Sequence, residues 1–148
     1  MSMKTHLIIS AALFSLFTSQ AYAVCENSKT LFFCNTQKGK QIVVCDSEKT
    51  IDYSFGKMGK PELQVKAPRD TASTFQWAGI GSTISYSVDI PNGDATYNVF
   101  WSADKNTDEH AIEAGVNVFI KKELKTTVKC SNKGLVNNME GVNLKASE

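Results

Sequence analysis

Between Ile84 and Trp101 this chain places an apolar side chain at every second position on both sides of an Asn92-Gly93 dipeptide. Strict alternation marks strands with one buried face, and Asn-Gly between two such runs is the strongest short-range hairpin signal. A two-residue type I′ turn at Asn92-Gly93 pairs Pro91 with Asp94 and Ile90 with Ala95. Further out it pairs Val88 with Tyr97, Tyr86 with Val99 and Ile84 with Trp101. The other face then pairs Asp89 with Thr96, Ser87 with Asn98 and Ser85 with Phe100. A one-residue slip would mix the two faces, so the pattern specifies its own register. Tyr86 and Trp101 are expected in the core, and Gly79 and Gly81 leave Ser82 at the mouth of the hairpin.

The rest of the chain keeps the same period. "TLFFC" and "QIVVC" flank a polar turn containing Gly39, "TIDYSFG" and "PELQVKA" flank a turn with two glycines and a basic rim, and "GVNVFI" and "LKTTVKC" flank "KKE". Eight strands are expected, near 30–34, 41–46, 50–55, 61–66, 82–90, 95–102, 114–120 and 124–130. Many short strands with regular turns and no helical stretch predict an all-β domain over 24–130, a single small antiparallel barrel or barrel-like sandwich. Closure would remove exposed strand edges. The stretch from Pro68 to Gly81 reads as a loop with a helical turn at Thr71 to Thr74, its aromatics Phe75 and Trp77 serving core or contact surface. Residues 131–148 read as a weakly structured C-terminal tail.

Residues 1–23 carry Lys4, the apolar run "LIISAALFSLF" and small residues at Ala21 and Ala23. That order is the pattern of a secretory signal peptide, and the apolar run is too short to span a bilayer. Val24 ahead of Cys25 does not suit a lipid-attachment site, so no stable membrane anchor is expected. The mature chain is therefore placed in the periplasm or secreted. Without Lys4 the acidic and basic residues balance, which argues against non-specific binding to nucleic acid or anionic membrane.

Four cysteines, Cys25, Cys34, Cys45 and Cys130, all follow the leader. An even number in an exported chain reads as two disulfides, with three pairings open. Joining Cys130 to the N-terminal region would contribute about 3 to 4 kcal/mol by restricting the unfolded chain. A metal site is not expected, since there is no C-x-x-C and His110 is the only histidine beyond the leader.

No catalytic arrangement emerges. His110 sits in the acidic stretch "TDEHA", "GIGSTIS" is not a nucleophile elbow, no carboxylate pair stands out, and no glycine loop suits a phosphate or cofactor. The chain is read as non-enzymatic and without cofactor. Stacking of a sugar on Trp77 or Trp101 keeps a carbohydrate, small-ligand or envelope-structural module as the alternative.

"TYNVFWS", preceded by a serine-to-tyrosine motif and followed by a charged loop, resembles the membrane-bound and periplasmic inhibitors of c-type lysozyme. "LFFCNTQKGKQIVVC" resembles that family's opening and "TVKC" its closing strand, so the similarity spans about Leu31 to Cys130. The resemblance implies an eight-stranded antiparallel barrel with a disulfide between its first and last strands. It also implies a loop of pattern Ser-Gly-x-x-Tyr, here Ser82 and Tyr86, and a lysine from the neighbouring loop, here Lys105. The hydroxyl and the cation would engage the two catalytic carboxylates of a lysozyme or another peptidoglycan hydrolase, in the manner of an inhibitor or an immunity protein. Thr83 replaces the family's glycine, with Gly81 before the serine instead, and Lys105 lies beyond the family's lysine position, which falls on Ala103. The resemblance implies Cys34–Cys130, and hence Cys25–Cys45.

Overall fold

The computed structural model describes residues 24–148, so the expected signal peptide lies outside the described residues. The strands are β1 (Lys29–Thr36), β2 (Gln41–Asp46), β3 (Thr50–Lys57), β4 (Lys60–Pro68) and β5 (Ser73–Gln76). They continue as β6 (Thr83–Asn92), β7 (Ala95–Asp104), β8 (Ile112–Ile120), β9 (Glu123–Asn137) and β10 (Lys145–Ala146). All eight expected strands are present, most of them longer than expected, and β5 and β10 are additional. One sheet holds them in the order β10-β5-β6-β7-β8-β9-β1-β2-β3-β4. Every pairing is antiparallel except β10 with β5.

Alternation places the core. Ile42 and Val44, Ile51 and Tyr53, Val65 and Ala67, and Val88 and Ile90 are buried at every second position of their strands, with more exposed neighbours between most of them. The sheet curls so that its two halves face each other. Tyr53 of β3 stacks on Tyr97 of β7, their centroids 4.9 Å apart. Burial, reinforced by Tyr97, pushes the Tyr53 phenol well above the usual tyrosine range and keeps it neutral.

Curling stops short of a hydrogen-bonded barrel. β4 and β10 are the two edges of the sheet, and β4 approaches β6 without pairing to it. Pro61 and Pro68 and the exposed Lys60 and Lys66 on β4 discourage another chain from adding there. Arg69, just past β4, clasps the seam. Its guanidinium forms a two-pronged ion pair with Asp46, with 3.1 Å between Nη2 and Oδ2, and Nη2 also donates to the Asn143 carbonyl at 3.0 Å.

Two disulfides, Cys25–Cys45 and Cys34–Cys130, lock the front of the chain. The second closes 96 residues, which the chain-entropy model values at about 4.7 kcal/mol. The disulfides place the protein in an oxidising, non-cytoplasmic compartment. Among the described residues no helix is long and apolar enough to cross a membrane.

Three expectations are corrected. The hairpin turns at Gly93-Asp94, not Asn92-Gly93: Asn92 pairs with Ala95, Val88 with Val99 and Tyr86 with Trp101. Gly93 has φ +60 and Asp94 is not left-handed, as a II′ turn with glycine first requires. A slip of two residues preserves both faces, so the alternation could not detect it. The 68–81 stretch is not all loop. Its turn comes at Pro68–Ala72, where the Thr71 and Ala72 amides both donate to the Pro68 carbonyl, and β5 follows on the edge of β6.

Finally, 131–148 is not a loose tail. β9 runs to Asn137 along β1, and the following turn inserts Met139, 0% exposed, into the core beside Val142. Gln76 holds that turn from both sides, donating to the Met139 carbonyl at 2.9 Å and accepting from the Gly141 amide at 2.8 Å.

Met139→Ala is expected to cost about 2 to 5 kcal/mol in urea unfolding, the range for emptying a buried site. A loss within about 0.5 kcal/mol would show the turn to be dispensable. The clasp also has a pH signature. Burial works against ionisation of Asp46, but the Arg69 hydrogen bonds, the Glu48 amide and nearby positive charge outweigh it and hold the carboxyl below its usual value. A depressed carboxylate contributes stability above its unfolded value, about 3.8, and loses it as pH falls through the folded value. The stability gap between wild type and Arg69→Met should be full from about pH 5 to pH 7 and shrink below about pH 3.8. A gap undiminished in acid would rule out this linkage.

Candidate functional site

One end of the curled sheet carries two loops, 77–82 between β5 and β6 and 105–111 between β7 and β8. The β6–β7 ladder ends with Thr83 opposite Asp104. One step further, the Lys105 amide donates to the Ser82 carbonyl at 2.7 Å, so both loops leave the hairpin side by side. The corrected register decides this. With the turn at Asn92-Gly93, Ser82 would face Ala103. The two-residue shift brings Lys105 there instead.

The 77–82 loop is shaped by its glycines. Gly79 and Gly81 have φ +82 and +93, conformations that a side chain at either position would strain. Between them Ile80 projects outward, 83% exposed. The loop is closed on itself by the Trp77 indole, whose Nε1 donates to the Ile80 carbonyl at 2.9 Å. The Trp77 ring is half-buried against the core, and the Lys105 ammonium lies 4.9 Å from its centroid. That cation–π contact, worth about 0.5 to 1 kcal/mol at an exposed site, holds the lysine against the loop.

The facing loop is a closed turn. Asp104 accepts from the Asn106 amide at 2.8 Å, and the Thr107 carbonyl accepts from the His110 amide at 3.0 Å. The exposed His110 ring sits 3.2 Å from the Asp104 carbonyl, not beside a serine or a carboxylate. Lys105 is the one cation in a loop that also carries Asp108 and Glu109. Among the described residues no three His, Cys, Asp or Glu side chains converge on a metal position.

Of the expected site residues, Ser82, Gly81, Lys105 and Trp77 come together here. Tyr86 does not join them at the surface. It is 8% exposed and stacks on Trp101, with centroids 6.1 Å apart. Burial and then the neighbouring Glu140 carboxylate push its hydroxyl above the usual range. It belongs to the support of the hairpin because its strand position faces inward. The two aromatics of the 68–81 stretch divide: Trp77 packs on the core, whereas Phe75 is 50% exposed on the outer face of β5.

Ile80 was not singled out from the sequence. Its signal was an apolar residue between two glycines, outside any alternating run, where no strand partner could bury it. The chain matches no protein-family model, no curated protein and no solved structure.

Because Ile80 and Ser82 are exposed, Ile80→Ser and Ser82→Ala should change stability by less than about 0.5 kcal/mol in chemical denaturation. A larger loss would assign these residues to folding and remove them from the site.

Proposed function

We propose that this chain is an exported, non-enzymatic inhibitor of a peptidoglycan-cleaving enzyme, acting from the periplasm or after secretion. The carrying observation is the 2.7 Å bond from the Lys105 amide to the Ser82 carbonyl, which sets a hydroxyl-bearing and a cation-bearing residue on adjoining loops of one hairpin. Glycoside hydrolysis commonly relies on two carboxyl groups about 5 to 10 Å apart. A serine hydroxyl can donate to one, and an ammonium can pair with the other. Hydrogen bonds to ionised groups are the strong ones, and stronger still where a cleft excludes water.

The supporting geometry is that of a preorganised wedge. β6 and β7 are paired along their whole length, the disulfides restrict the rest of the sheet, and Trp77 braces its loop from behind. A rigid wedge loses little conformational entropy on binding, which favours slow dissociation. Lys105 would exchange its contact with the Trp77 ring for a carboxylate in the cleft, and Ile80 would meet apolar surface beside it. An immunity protein against a rival's wall hydrolase would use the same chemistry.

The test is a panel of c-type, g-type and i-type lysozymes and bacterial wall hydrolases assayed with excess mature protein. Inhibition of at least one, through a one-to-one complex, is expected. Ser82→Ala combined with Lys105→Ala should weaken that complex about thirtyfold or more, the effect of losing about 2 kcal/mol at a central contact. Full activity of every enzyme in the panel would refute the proposal.

A further inference from the structure

The outer face of β5 to β9 carries a row of polar side chains that hydrogen-bond to one another across the strands. The Thr127 hydroxyl donates to Asn117 Oδ1 at 2.7 Å, Asn117 Nδ2 to Asn98 Oδ1 at 3.1 Å, and Asn98 Nδ2 to Asp89 Oδ1 at 2.6 Å. At the far end Asp89 Oδ2 accepts from Ser147 at 2.6 Å and from Ser73 at 3.3 Å. The register explains the line: Ser73 faces Asp89, Asp89 faces Asn98, Asn98 faces Asn117 and Asn117 faces Thr127.

Aromatic side chains flank this line two residues away along the strands, and therefore on the same face. Phe75 and Phe100 lie on one side, both opposite Ser87, and Phe119 lies on the other, opposite Thr96. Phe75 and Phe119 line a shallow groove of about 690 Å³ together with Asp89, Asn98, Lys122 and Lys145.

We propose that this groove is a binding site for an extended, hydroxyl-rich glycan strand, separate from the Ser82–Lys105 loops. The chain of internal bonds runs in one direction, from Thr127 to Asp89, and uses one N–H of each asparagine amide. The second N–H of Asn98 and of Asn117, and the remaining lone pairs of their oxygens, are left for an outside partner. A sugar hydroxyl both donates and accepts, so it suits a planar amide that presents both functions from a fixed orientation. Adjacent strands set these groups about 4.8 Å apart, close to the length of one pyranose ring. The apolar C–H faces of the rings would pack on Phe75 and Phe119, as in sites where aromatic side chains supply area and a few fixed polar groups supply orientation. The internal bonds already hold the rotamers, so little ordering remains to oppose binding.

The test is a proton–nitrogen NMR titration of the mature chain with cellohexaose, chitohexaose and peptide-free glycan strands from sacculi. Saturable shifts of the Asn98 and Asn117 side-chain amides, together with Phe75, are expected with at least one probe. Phe75→Ala and Asn98→Ala, each verified as folded from its own spectrum, should each weaken that binding about tenfold, equivalent to about 1.4 kcal/mol. Ser82→Ala with Lys105→Ala should leave it unchanged, which separates this site from the proposed inhibitory one. No saturable shift with any probe at about 10 mM, far weaker than a millimolar site requires, overturns the proposal. So do shifts confined to the Trp77–Ser82 loop, or binding untouched by both groove variants.

Discussion

β9 is the strand on which the rest of the sheet depends, because it pairs with two different neighbours along its length. Its first half hydrogen-bonds to β8 and its second half to β1, so it joins the hairpin half of the sheet to the half built from β1 to β4. Cys130 lies near the crossover and is bonded to Cys34 of β1. Pairing residues so far apart in the chain carries a large loop-closure cost, and the disulfide removes much of it from the unfolded side of the balance. With that connection made, the sheet curls and Tyr53 meets Tyr97 across the core. The end of β9 then delivers Met139 into the space between the halves, where Gln76 fastens the turn from β5.

The two candidate surfaces use this rigid frame in different ways. At the loop end, local conformation dominates: two glycines push Ile80 outward, and Trp77 and Lys105 brace each other above the hairpin. On the outer face, sheet geometry dominates, since only strands in register can line up Ser73, Asp89, Asn98, Asn117 and Thr127. Both surfaces involve β6 and β7. Their two inward rows build the core while their ends and outward rows remain free to meet partners.

Alternation made most of the fold legible. Eight strands, the inward placement of Tyr86 and Val99, and the division of faces in the central hairpin follow from a period of two and the need to bury one face. The same rule was blind to the turn. A II′ turn at Gly93-Asp94 and a I′ turn at Asn92-Gly93 differ by two residues in register and leave every side chain on the same face. Composition around the glycine could not choose between them, yet the choice decides whether Ser82 stands beside Ala103 or beside Lys105. The short strand β5 was missed because four residues leave too short a pattern for a period of two to register. The order of 131–148 was missed because one buried methionine in a turn has no period at all.

The sequence by itself determined the all-β class, the core rows and the oxidising setting in which four cysteines pair, because each follows from local chemistry or composition. Only the tertiary structure decided which residues share a surface. Strand register, the curl that opposes the two halves, and the return of the chain's last residues to β5 depend on contacts between distant segments. No local pattern encodes those contacts, and they alone bring Ser82 to Lys105 and Asp89 to Ser147.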